Sequence, residues 1–268
     1  MPSTKRSTST TTTLIAKIPY LNSVPFYFDL PIVQEFQIRE CVPRQLAQAA
    51  ADGEKIAGPL PVAAFLRLGN DFERLGHFGI AVRGRAHSAM LFSRKPLRQL
   101  EGCTFALTGE SATTVCLLRL ILEQRYELSG LVYKRERDPQ ADALLLIGDE
   151  ALRFRQDNKL YPFETDLAFE WWLWQHLPFV FAVWAIRKDT PEPENKRIEA
   201  GIARALALNS GRLGVLAQQY AASVNMKPED VEAYLGAFVY RLSALEEEGL
   251  QQFKKLLEQH HLLEWSSG

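Results

Sequence analysis

Residues 104–122, TFALTGESATTVCLLRLIL, restrict the fold more than any other part of the chain. An apolar strand runs into a Gly and a cluster of small polar residues, and a helix with almost no polar surface follows at once. Val115, Leu117, Leu118, Leu120 and Ile121 leave that helix so little polar face that it must be covered on nearly every side, and the strand feeding it supplies a sheet to do so. This is a βα unit of an α/β protein. The start of such a helix offers unpaired backbone N–H groups and a partial positive charge, so the hydroxyls of Ser111, Thr113 and Thr114 suit a carboxylate or phosphate. The plainer role for Ser111 or Thr113 is to cap their own helix.

At 268 residues and 47% hydrophobic content, the chain can build one large domain or two smaller ones with proper cores. Lysine and arginine total 31 against 32 acidic residues, a formal net charge of −1, so no global field favours nucleic acid or an acidic membrane surface. Cys41, Cys103 and Cys116 stand singly in apolar context and read as reduced, buried thiols of a cytoplasmic protein. Residues 1–13 are polar and low in complexity, which predicts a disordered tail. The apolar run after it is broken by Lys17, so no secretory signal is expected. The aromatic stretch FEWWLWQHLPFVFAVW at 169–184 is interrupted by Gln175, His176 and Pro178 and cannot be a membrane span.

The other segments repeat the strand-then-polar-turn pattern. LIAKI at 14–18 leads into YLNSVPF, where Asn22 and Ser23 sit beside Tyr20; Asn offers both donor and acceptor, although a turn residue bonded to its own backbone is an equal reading. A second strand is expected at 37–42, a short Ala-rich helix at 43–51, and a strand and turn over 55–64. Further strands are expected at 79–82 and 88–93, the latter opened by Ser88 and preceded by Arg83, Arg85 and His87, which read as a solvated basic turn. ALLLIGDEAL at 143–152 places four apolar residues in a row, the mark of a strand covered on both faces. Asp149 follows it, where α/β sheets bind ligands, and also where a helix cap would stand. Residues 179–186 form a long buried strand, and the last third is helical, with a start signal at Pro228.

This order suggests two α/β lobes: residues 14–92 with 184–268, and residues 93–183. Strands 88–93 and 179–186 would carry the chain out and back as a two-strand hinge, with Asn22, Ser88, Ser111, Thr113 and Asp149 converging on the cleft. No P-loop, GxGxxG, metal-ligand spacing or nucleophile motif is present.

The segments PYLNSVPF, GPLP, HSAMLFS, TGESATTV, LLLIGDEAL and LPFVFAVWAIR, in that order and spacing, resemble the chorismate dehydratase family of the futalosine route to menaquinone. The resemblance implies the two-lobed fold of type 2 periplasmic substrate-binding proteins. It also implies loss of water from chorismate to give 3-[(1-carboxyvinyl)oxy]benzoate, without cofactor or metal. Carried onto this chain, it gives Asn22 and Ser88 as catalytic, and Tyr20, Ser23, Ser111, Thr113, Thr114 and Asp149 as substrate-binding. The expected partner is a small molecule, chorismate or a related carboxylate, acting on a monomer or homodimer with no nucleic acid or membrane involved. The alternative is a non-catalytic carboxylate-binding protein, or a paralogue of the same fold with another substrate. Ile56, Val62, Arg85, His87 and the Gln175-His176 pair depart from the family pattern, and the resemblance sets them near the cleft mouth.

Overall fold

The computed structural model describes residues 13–29, 36–107, 111–136 and 138–265. Of the expected tail only Thr13 lies among them, and residues 108–110, the start of TGESATTV, lie outside. Thr13 is buried and its N–H donates to Glu194 Oε1 at 2.8 Å, so this last residue of the expected tail is held in the fold.

In chain order the strands are β1 (Leu14–Lys17), β2 (Ile38–Glu40), β3 (Ile56–Pro61), β4 (Phe72–Val82), β5 (Ala89–Ser93) and β6 (Thr104–Ala106). They continue as β7 (Val132–Lys134), β8 (Ala143–Ile147), β9 (Phe163–Asp166), β10 (Phe179–Arg187) and β11 (Phe238–Arg241). The helices are α1 (Pro43–Ala51), α2 (Val62–Arg67), α3 (Ala112–Arg119), α4 (Gly148–Asp157), α5 (Leu167–Gln175), α6 (Glu192–Asn209), α7 (Leu213–Tyr220), α8 (Pro228–Gly236), α9 (Ala244–Gln259) and α10 (Leu262–Trp265). A 3₁₀ turn, Leu21–Phe26, follows β1.

Two mixed sheets divide these strands. One has the order β11-β4-β10-β3-β1-β2 and the other β7-β6-β8-β5-β9. Within them β1, β2 and β3 run parallel, as do β6, β7 and β8, while β10 and β5 pair antiparallel with their neighbours. The ALLLI run behaves as its composition requires: Leu145 packs into the main core while Leu146 joins Met90, Phe92 and Tyr161 on the opposite face. Likewise Ile15 and Ala57 face the main core, and Ala16, Ile56 and Leu60 face a second cluster under α1. In α3, Cys116, Leu117 and Leu118 are fully buried, and each such leucine contributes roughly 1.5–3 kcal/mol by leaving water.

The helix boundaries follow local chemistry. Pro43 and Pro228 occupy first-turn positions of α1 and α8, where their missing N–H costs nothing. Ser243 and Glu246 form a capping box at α9, with Leu245 N–H donating to Ser243 Oγ and Ser243 N–H to Glu246 Oε2.

The strands flanking the hinge are distributed differently from the sequence reading. β5 pairs entirely within the second sheet, on β8 and β9, and β10 entirely within the first, on β3 and β4. The chain therefore passes between sheets in two short irregular segments, 83–88 and 176–178, each adjoining one of those strands. The basic turn is anchored here and is not a free solvated loop. Arg83 pairs with buried Glu246 of α9 at 2.7 Å, Arg85 lies 3.9 Å over the Phe169 ring, and the His87 N–H donates to Asp166 Oδ2 at 2.7 Å. In the second crossing the Pro178 carbonyl accepts from Trp171 Nε1 at 3.2 Å and meets Gly249 so closely that no Cβ fits there.

Candidate functional site

The cleft between the sheets is built from the carboxyl ends of their parallel strands, which is where open α/β sheets leave backbone groups and loops free for a ligand. β1 leads to Ile18 and Tyr20, and the 3₁₀ turn adds Asn22 and Ser23; β3 delivers Pro59 and Pro61; β8 ends at Ile147 and α4 opens with Gly148; and the start of α3 delivers Ser111 and Thr114. Ser88 and Ala89 enter from the first crossing, and Ile80 and Phe181 close the apolar wall. The cavity has about 520 Å³ of empty space, part of it open to solvent. Its polar lining consists of Tyr20, Asn22, Ser23, Ser88, Ser111 and Thr114, and no carboxylate, ammonium, guanidinium or imidazole lines it among the described residues.

Ser111 stands at the N-cap of α3 with extended backbone, yet its hydroxyl makes no capping bond. It accepts instead from Thr114 Oγ1 at 3.4 Å, and the helical ladder begins only with Val115 N–H on the Ser111 carbonyl. The earlier N–H groups of the helix belong to the orphan set that a ligand anion satisfies. Thr113 does not share this face. One step of about 100° round the helix from Thr114, it is fully buried and its Oγ1 accepts from Ala63 N–H at 3.1 Å, tying α3 to α2 across the cleft.

Asp149 also stands outside the cavity lining. Its Oδ1 accepts from Leu21 N–H at 2.8 Å, so the second sheet's GDEAL turn holds the turn that carries Asn22. Burial pushes the Asp149 carboxyl above its ordinary value, opposed by the Leu21 N–H and by Arg153. Gly148 adopts φ +59°, donates its N–H to the Ser88 carbonyl at 2.8 Å, and lies against the Tyr20 ring, which a Cβ would approach to 2.9 Å. The glycine is required both by its left-handed backbone and by that ring.

Sequence reasoning missed Tyr234 of α8. Its buried hydroxyl donates to Ser88 Oγ at 2.8 Å, across 146 residues, and neither α8 nor its spacing signals such a contact.

The positions that depart from the family pattern are not in the cavity lining. Ile56 and Val62 are core residues, Gln175 accepts from Gln252 Nε2 at 3.0 Å, and His176 ends α5 at φ +56°. His87 is held at φ +60° in the first crossing, and burial lowers its imidazole pKa, with Asp166 opposing.

Two mixed α/β sheets linked by two crossings, with a polar cleft at their strand ends, define a substrate-binding fold of the type 2 periplasmic class. Solved structures with this architecture include an Archaeoglobus fulgidus protein, at TM-score 0.73 and 16% identity over 93% of this chain and 97% of that one. They also include the alkanesulfonate-binding protein SsuA of Xanthomonas axonopodis bound to MOPS, at TM-score 0.65 and 15% identity over 94% of each chain. Residues 13–259 match the family model described as menaquinone biosynthesis. A chorismate dehydratase of Thermus thermophilus is 31% identical over 257 residues, 89% of this chain and 92% of that protein. The chain belongs to this menaquinone-biosynthesis family.

Proposed function

We propose that this protein is a hydro-lyase that converts chorismate to 3-[(1-carboxyvinyl)oxy]benzoate and water. The observation that carries the reading is the cleft lining: hydroxyls, one carboxamide and a helix N-terminus, with no charged side chain among the described residues that line it. Such a lining suits a dicarboxylate that must be held by neutral donors while charge shifts within it. The T. thermophilus relative is named for this reaction.

The chemistry removes the proton at C3 and the hydroxyl at C4, after which the ring is aromatic. The C3 proton is acidic through conjugation with the ring carboxylate. Donors at the start of α3, with Ser111 and Thr114, would stabilise charge growing on that carboxylate. In this reading the substrate's own enolpyruvyl carboxylate takes the C3 proton, which requires the two groups to be held in a reactive geometry. Asn22 and Ser88 serve that positioning. The Ser23 hydroxyl donates to Asn22 Oδ1 at 3.4 Å, and in this reading the carboxamide NH₂ donates to the ligand. Asp149 contributes indirectly, through Leu21 N–H. Three unpaired thiols fit a reducing, cytoplasmic setting.

The test is incubation with chorismate followed by liquid chromatography and mass detection, beside Asn22→Ala. Loss of one water by the wild type, reduced at least ~100-fold in the variant as for removal of a transition-state donor, supports the assignment. Persistence of chorismate with a folded wild type overturns it in favour of a binding protein or a paralogue with another substrate.

A further inference from the structure

We propose that Tyr234 is a positioning residue that fixes the Ser88 hydroxyl as a hydrogen-bond donor into the cleft. The inference rests on the functional reading above. Tyr234 is 3% exposed, packs edge-on against Phe238 at 5.1 Å between ring centroids, and has Ser88 Oγ at 2.8 Å as its hydrogen-bond partner. A buried phenol whose O–H finds no acceptor bears a full desolvation penalty, so Tyr234 donates and Ser88 Oγ accepts. Burial also raises the phenol's pKa, with Ser88 opposing, and keeps it protonated at physiological pH. One lone pair of Ser88 is thereby occupied, and its own proton has two destinations. The carbonyl of Ala86 lies at a long 3.3 Å, while the cavity that Ser88 lines is open to a ligand oxygen. With a ligand bound, the shorter, better-aligned acceptor takes that proton. The arrangement reaches across three elements: α8 from the helical C-terminal region acts on the first crossing, which Gly148 N–H also grips through the Ser88 carbonyl.

Tyr234→Phe keeps the ring and its packing and removes only the donor. The measurement is a double-mutant cycle of Tyr234→Phe and Ser88→Ala, with kcat and KM for chorismate and thermal midpoints for all four proteins. In the Ser88 background the Tyr234→Phe change is expected to lower kcat by roughly five- to tenfold, the effect of about one net hydrogen bond. In the Ser88→Ala background it should change kcat less than about twofold, since residues in one hydrogen-bonded network are non-additive. Equal losses in both backgrounds, or full kcat in Tyr234→Phe alone, overturn the proposal. If Tyr234→Phe does not fold, the tyrosine is a structural support and the proposal falls. If the wild type folds but leaves chorismate intact, the functional reading fails by itself. The same cycle is then run on the dissociation constant for 3-(carboxymethoxy)benzoate, a stable dicarboxylate. Coupling between the two residues there keeps the positioning role; additivity, or no binding by the wild type, refutes it.

Discussion

Glu246 gives the sharpest quantitative prediction, because its carboxylate is wholly buried at the point where α9 grips the first crossing. Burial raises its pKa, but the Arg83 guanidinium and the Ser243 hydroxyl and N–H outweigh that and hold it at about 2, against an ordinary 4.5. A folded-state value below the unfolded one means that the stabilisation is present above pH 4.5 and is lost as pH falls toward 2. The difference in pKa corresponds to about 3 kcal/mol at neutral pH, an upper value because Arg83 is half exposed and screened by solvent. Glu246→Gln keeps the shape and removes the charge. Urea unfolding at pH 7 should therefore show the variant less stable by about 2–3 kcal/mol, with the gap falling to less than half by about pH 3 as the carboxyl takes up its proton in the unfolded chain. A gap that stays constant from pH 7 to pH 3, or a variant as stable as wild type at pH 7, would refute the assignment of the charge as the source of stability.

Two further outcomes follow from backbone geometry. Gly148→Ala forces a side chain onto φ +59° and into the Tyr20 ring at 2.9 Å, so it should cost about 1–3 kcal/mol of stability and weaken ligand binding together, read by thermal shift with and without chorismate. His176→Gly relieves the left-handed residue that ends α5 and should raise stability by up to about 1 kcal/mol without changing turnover, since His176 lies outside the cavity; a fall in the melting temperature would contradict this.

The sequence alone determined the elements whose chemistry is local. Apolar runs such as ALLLI and FVFAVWAI are recognisable as buried strands because being covered on both faces leaves no room for polar alternation. The starts of α1 and α8 are legible from proline at the first turn. Strands β7, β9 and β11 were not legible, and all three are sheet edges, short and half polar, where little burial is needed to hold them. The ordered motifs around Tyr20, Asn22, Ser88 and Ser111 also pointed to one cleft, because strand ends followed by small polar residues are where α/β sheets leave groups free. Only the tertiary structure separated Ser111 and Thr114, which line the cavity, from Thr113, which ties α3 to α2, since a side chain's face depends on how the helix is set against its neighbours. It alone turned Asp149 from a group beside the ligand into the acceptor that holds the Asn22 turn, and brought Tyr234 to Ser88. Contacts between residues 128 and 146 positions apart leave no periodicity in the chain, because they exist only once the two sheets and the C-terminal helices have packed together.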